Sequence, residues 1–235
     1  MGNLNLEEKL AKSLTANDTE LIEFLPYLLQ DLWDLGSSPE DIAQLLSEHT
    51  DINNNSKILD LACGKGAVSI QLAKKFSCRV TGIDIMEEFI EYAKQKAKEH
   101  DVENFCDFVT GDVNILINEQ TGFDVVVFGA VGDVLGNPEE TIKKLSGTVR
   151  SDGYIIIDDA YGIPGNEYEY PTKEDWANKI DKLGMKLIAD KISAPEDIAK
   201  INNYQQPLIS KRAEELKIRF PEKKAIFDDY VKSQL

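Results

Sequence analysis

Histidine is nearly missing from this sequence: His49 and His100 are the only two in 235 residues. Neither lies inside a motif, and His100 closes a helical stretch where the dipole favours it. A mechanism resting on imidazole therefore has little to work with. Cysteine is scarce too. Cys63, Cys78 and Cys106 have neither metal-ligand spacing nor an even count, so no metal site and no disulfide framework is expected, and a reducing compartment suits them. Basic residues are outnumbered, 26 Lys and Arg against 42 Asp and Glu, for a net charge of −16. Nucleic acid and anionic membranes call for basic footprints, so neither is expected as a partner. No apolar run approaches the roughly 20 residues of a membrane span. Glu7, Glu8 and Lys9 stand where a signal peptide would carry its apolar core. A cytoplasmic location is the expectation.

What the chain does have is core material, 42% hydrophobic residues, and one stretch around which the rest is organised. Residues 57–67 read Lys-Ile-Leu-Asp-Leu-Ala-Cys-Gly-Lys-Gly-Ala. Residues 58–61 have the apolar character of a strand buried on both faces. Gly64 and Gly66 permit a tight turn and a close approach of backbone to ligand. Val68, Ile70, Leu72, Ala73 and Phe76 then suit a helix whose free N–H groups point back at the turn. A dinucleotide fingerprint would want a third glycine where Ser69 stands. Asp60, at the end of the strand, would also repel a pyrophosphate. A sulfonium or ammonium ligand meets no such repulsion, which points to S-adenosylmethionine.

The following strands repeat the arrangement. Residues 79–85 read as a second strand ending in Asp84, placed to accept hydrogen bonds from both ribose hydroxyls, with Ile85 beside the adenine face. Such an acid serves NAD and S-adenosylmethionine alike. Residues 105–111 form a third strand, followed by Asp112 and Val113. The apolar stretch 123–129 reads as a central parallel strand. Its exit, residues 129–136, is glycine-rich from Gly129 onward. A helix is expected over 138–149, a turn at 151–153 and a fifth strand over 154–159.

Asp60-Leu61-Ala62-Cys63-Gly64-Lys65-Gly66 resembles the first motif of the class I S-adenosylmethionine-dependent methyltransferases of small-molecule type, with Ala62 replacing the first of the usual glycines. The resemblance extends over residues 57–159. It implies an α/β, Rossmann-like, doubly wound and mostly parallel sheet. It also implies that Asp112 meets the adenine amino group and that the Val113 backbone N–H meets a ring nitrogen. The cofactor residues it implies are Asp60, Ala62, Gly64, Gly66, Asp84, Ile85, Asp112, Val113 and Gly129. The family's antiparallel seventh strand is not legible here. Residues 185–192 could be a sixth strand, and 195–235 are charged and helix-patterned.

Helices are expected to flank this domain, giving divisions at 1–56, 57–192 and 193–235. Leu21, Phe24, Leu25, Leu28, Leu29 and Leu32 recur at helical spacing. Gly36 reads as a stop, and Ser38-Pro39-Glu40-Asp41 as a new start. The first 56 residues then serve as a brace or a lid. The loop 161–171, with Tyr161, Tyr168 and Tyr170, is a further candidate cover.

The expected chemistry is methyl transfer to a small-molecule acceptor. Asp133, Asp158 and Tyr161 are the candidate catalytic residues, since the fourth and fifth strands deliver them to the site. Two acids and a phenol, with only Lys173 as a nearby base, suit a cationic or amine acceptor better than a carboxylate. The same acids could instead cap helices or turns. Two other functions fit parts of the pattern: a silent S-adenosylmethionine-binding sensor or scaffold, and an NAD-dependent oxidoreductase. The oligomeric state is left open.

Overall fold

A computed structural model describes residues 5–162 and 170–234. In chain order the first elements are α1 (Leu6–Ser13), α2 (Leu25–Leu28), α3 (Pro39–His49), β1 (Lys57–Leu61), α4 (Ala67–Phe76), β2 (Arg79–Asp84), α5 (Glu87–Glu99) and β3 (Cys106–Thr110). There follow α6 (Val113–Leu116), β4 (Phe123–Gly129), α7 (Pro138–Ser146), β5 (Val149–Asp158), α8 (Lys173–Lys182), α9 (Pro195–Arg219) and α10 (Lys224–Ser233). Two compact units divide them: Asp34–Asp190, and Met1–Trp33 together with Lys191–Leu235. Among the described residues no helix is long and apolar enough to cross a membrane. The same residues contain no cluster of three or more His, Cys, Asp or Glu suited to a metal ion.

The larger unit is built on a five-stranded sheet in the order β3-β2-β1-β4-β5, with every pairing parallel. Parallel neighbours require crossovers, and helices supply them. Leu59, Leu61, Val126 and Phe128 on the two central strands are almost fully buried and join Leu135 and Leu145 in one core. Burying each such side chain contributes about 1.5–3 kcal/mol. On α5, Phe89, Ile90, Ala93 and Ala97 form the buried face. At the start of α7, Asn137 accepts hydrogen bonds from the Glu139 and Glu140 N–H groups, and Glu140 answers the Asn137 N–H at 3.0 Å. Such a box satisfies donors that the first turn leaves orphaned.

Two expectations are corrected here. The turn at 151–153 lies inside a longer β5. Phe123 pairs with Val149 and Val125 with Tyr154, so the extra residues form an irregularity within the strand. A Cβ on Gly153 would lie 2.9 Å from the Val149 Cβ and 3.1 Å from the Asp124 carbonyl oxygen, which is why a turn residue serves there. Residues 185–192 are no sixth strand. They run without regular structure, and Leu187, Ile188 and Ile192 are about half exposed. Leu187, Ile188 and Ala189 are consecutive, which breaks the strict alternation of a half-buried strand. β5 is thus an end strand among the described residues.

In the smaller unit the six residues of the apolar stripe are all buried. They do not share one helix. Pro26 has no N–H to extend an incoming helix, so a 3₁₀ stretch over Thr19–Phe24 gives way to the short α2, which carries the proline in its first turn. Phe24 meets the rings of Phe220 and Phe227 edge-on, each at 5.1 Å between centroids. Arg212 grips Asp31 with two bonds, 2.6 and 2.8 Å, and Tyr27 donates to Glu215 at 2.5 Å.

Candidate functional site

The site lies where β1, β2, β3 and β4 end. After Leu61 the chain turns through Ala62 (φ +56°), Gly64 (φ +53°) and Gly66 (φ +75°), and Gly66 caps α4. The left-handed region is open to glycine and costly for alanine, so Ala62 holds this turn at some backbone strain. Three consecutive residues bind this turn to β2, α5 and β3. Gly64 N–H donates to Asp84 Oδ2 at 2.8 Å. The Lys65 ammonium, on a side chain only 3% exposed, lies 4.6 Å from the Tyr92 ring centroid and 5.6 Å from that of Phe89. A Cβ on Gly66 would crowd Ala93 and Phe108 at 2.8 and 2.9 Å, so this glycine lets the turn press on α5 and β3. Lys65 was not singled out by sequence reasoning; its only signal was its place between two glycines.

Asp60 is 3% exposed and accepts a 2.6 Å hydrogen bond from the buried Ser69 hydroxyl. Ser69 occupies the place of the dinucleotide fingerprint's third glycine and has this use instead. Burial pushes the Asp60 carboxyl up to about 7; the Ser69 hydroxyl holds it down and nearby Asp84 adds to the rise. Asp84 is 8% exposed and accepts from Met86 N–H at 2.9 Å as well as from Gly64. Burial raises its carboxyl as well, against the pull of those two amides. Its oxygens retain lone pairs for further donors. Ile85 beside it is half-buried.

Asp112, half-buried, caps α6 by accepting from Asn114 N–H at 2.8 Å. Val113 is the first residue of that helix, a position whose N–H no intrahelical carbonyl can reach. Across β1, the β4 exit repeats the β1 turn: Gly129 is followed by Ala130 at φ +56°, whose N–H donates to the Asp158 carbonyl at 2.8 Å. Strained residues of this kind gather at ligand sites.

Residues 35–37 pack on the candidate site's turns, and sequence reasoning missed them apart from reading Gly36 as a helix stop. Leu35 lies against Gly64, Gly36 against Ala130 and Ser37 against Gly129, where an added Cβ would collide with the Ser37 hydroxyl. This short segment spans the exits of β1 and β4.

Beyond Gly129, Asp133 and Asp158 are exposed and Tyr161 is 40% exposed. The structure brings the two acids together with Asp159. Partial burial raises the Asp159 carboxyl against an N–H bond from Ala160, and Asp158 and Asp133 raise it further. Lys173 forms an ion pair with Asp190. The ends of the 161–171 loop meet at Gly162, whose N–H donates to the Pro171 carbonyl at 3.0 Å. Tyr170 is exposed, and Tyr168 lies outside the described residues.

The donor set fits S-adenosylmethionine. In a dinucleotide site the turn's amides would face a pyrophosphate. Here the Gly64 amide already serves a carboxylate, and a second buried acid stands behind it. Two buried acids favour a cationic ligand over a doubly anionic one.

Comparison with known proteins agrees. Residues 52–212 match the family model described as a methyltransferase domain. The probable (S)-tetrahydroprotoberberine N-methyltransferase 2 of Papaver bracteatum is 27% identical over 135 residues, covering 57% of this chain and 37% of that protein. This chain thus spans little more than a third of that relative's length. The malonyl-[acyl-carrier protein] O-methyltransferase of Halalkalibacterium halodurans is 22% identical over 189 residues, 69% of each chain. Among solved structures, the fold resembles a SAM-dependent methyltransferase from Geobacter sulfurreducens crystallised with S-adenosyl-L-homocysteine. The TM-score is 0.75 at 18% identity, over 90% of this chain and 89% of that one. This chain belongs to the methyltransferase-domain family.

Proposed function

We propose that the chain transfers the methyl group of S-adenosylmethionine to a small-molecule acceptor, with an amine nitrogen as the nucleophile. The observation carrying the amine is the group of Asp133, Asp158 and Asp159 at and beyond the strand ends, where the charges of Asp158 and Asp133 reach Asp159. Lys173, the nearest base that the sequence offers, is engaged with Asp190. Such a group attracts an ammonium and can receive its proton. That some relatives are named N-methyltransferases lends support.

When bound, the cofactor supplies an activated methyl on a good leaving group, and the protein's task is alignment and exclusion of water. In this reading Asp84 accepts from the ribose hydroxyls, Asp112 and the Val113 N–H read the adenine edge, and Ile85 packs on its face. Asp60, its carboxyl pushed up to about 7, lends negative charge from behind the turn once it has released its proton. Gly129 ends β4 at the exit where the methionine half passes. Asp133 or Asp158 holds the acceptor and takes the proton as the nitrogen attacks, while Tyr161 orients it.

The net charge of −16 supports a small molecule over nucleic acid as the partner. A cytoplasmic site of action is part of the same proposal. Burial keeps the Cys78 thiol at about 11 and that of Cys106 at about 12, and all three cysteines are free, as a reducing compartment allows.

The test is a screen of small amines, phenols, thiols and carboxylates, scored by release of S-adenosylhomocysteine. Amines should turn over. With the best of them, Asp133→Asn or Asp158→Asn should lower kcat/KM by about tenfold to a hundredfold, and Tyr161→Phe by less. Turnover confined to carboxylates, or three variants equal to the parent, would remove the amine reading.

A further inference from the structure

The strand exits on the two sides of β1 share a support that the chemistry above does not use. On one side Asp112 caps α6, and both of its hydrogen bonds fall on Oδ1: from Asn114 N–H at 2.8 Å and from Asn114 Nδ2 at 3.2 Å. Among the described residues this leaves Oδ2 to a ligand. On the other side, the chain leaving β4 makes a turn in which Gly136 N–H donates to the Asp133 carbonyl at 2.9 Å. That turn rests on α7, whose buried Thr141 hydroxyl donates to the Gly136 carbonyl at 3.2 Å.

Lys144, in the last turn of α7, touches both sides. Its ammonium donates to the carbonyl of the fully buried Leu135 at 2.7 Å and to Asn114 Oδ1 at 3.4 Å. All of these residues belong to the larger compact unit. The contact with Asn114 sets a direction. An amide offers both a donor and an acceptor, whereas an ammonium offers donors only. Beside Lys144 the amide turns its oxygen to α7, and its nitrogen is thereby aimed at Asp112 Oδ1. At the other contact, a charged donor holds the Leu135 carbonyl more firmly than a neutral one would.

We propose that Lys144 is a positioning residue joining the adenine side of the site to the acceptor side. Through Asn114 it orients the Asp112 carboxylate, and through Leu135 it anchors the turn that carries Asp133. The inference rests on the placement of adenine at Asp112 and of the acceptor at Asp133 proposed above. Lys144 touches neither ligand, and no motif marks it: in the sequence it is the second of two adjacent lysines near a helix end.

The experiment is calorimetric titration of S-adenosylhomocysteine into the parent, Lys144→Met, Lys144→Arg, Asn114→Ala and the double variant Asn114→Ala/Lys144→Met, with thermal unfolding of each. Lys144→Met keeps the length of the side chain and removes its charge. It should raise the Kd about threefold, and Lys144→Arg should return it to within about twofold of the parent. Because Lys144 reaches Asp112 only through Asn114, the double variant should bind no more weakly than Asn114→Ala. Amide exchange at Gly136 reads the other arm. Saturating 5′-methylthioadenosine, which lacks the amino-acid end, should slow that exchange about threefold more in the parent than in Lys144→Met. Losses that add in the double variant, or equal protection of Gly136 in the two proteins, would overturn the inference. So would a Kd that merely follows the unfolding temperature across the variants, which makes the lysine structural. If Asp112→Ala bound S-adenosylhomocysteine as tightly as the parent, the adenine placement would fall and the Lys144 assignment with it. A parent-like Kd in Lys144→Met beside a weakened Asp112→Ala removes only the latter.

Discussion

Asp60 shows how much a single residue reveals and conceals. Its place at a strand end beside a glycine turn was legible in the sequence, and so was its conflict with a pyrophosphate. Its bond to Ser69 was not, because that contact spans a turn and an α-helix and depends on the side chain's direction. The consequence is a pH dependence. Asp60 holds its proton to about pH 7 in the folded chain, against 3.8 for an ordinary aspartate. Between those values the native state binds more protons than the unfolded chain, so this residue's contribution falls as pH rises through the window and levels off above it. Replacing Asp60 with Asn keeps an acceptor for Ser69 and removes the titration. Urea unfolding of the ligand-free protein from pH 4 to 8 should show the parent losing about 2 kcal/mol or more relative to Asp60→Asn. Parallel profiles for the two proteins would refute the assignment.

At the scale of elements, β1, β2 and β4 were legible because parallel strands buried on both faces read as apolar runs, whereas β3 buries only Phe108 and β5 is partly exposed. Helices α4 and α5 were legible through their periodicity. Three features were not. The stripe from Leu21 to Leu32 looked like one helix, because the periodicity persists across the break at Pro26. The turn signal of residues 151–153 became an irregularity inside β5, since Asp-Gly serves a bulge as readily as a hairpin. The segment 35–37 had no signal beyond Gly36, because its role arises from distant contacts with Gly64, Gly129 and Ala130. The β5 irregularity makes a prediction. Gly153→Ala introduces a Cβ 2.9 Å from that of Val149 and 3.1 Å from the Arg150 and Asp124 carbonyl oxygens. The substitution should cost about 1–3 kcal/mol in chemical denaturation. A loss below a few tenths would mean the strand accommodates a side chain there.

Taken whole, the molecule is an acidic chain whose sheet directs Asp84, Asp112, Gly129 and Asp158 from four different strand exits to one edge. The strand-end placement of the candidate cofactor residues was legible because it depends on short motifs. The acceptor half was legible only as residue types, since Asp133, Asp159 and Tyr161 lie on loops whose course the strands do not dictate. The central claim is that the cofactor's adenosine lies across these strand ends with its ribose on Asp84. It is tested most directly by calorimetric titration of S-adenosylmethionine into the intact protein and into Asp84→Ala. The account predicts a single site in the parent and a loss of about 2 kcal/mol or more in the variant, roughly thirtyfold in Kd, because two hydrogen bonds to a buried carboxylate disappear. An unchanged Kd in Asp84→Ala would contradict it.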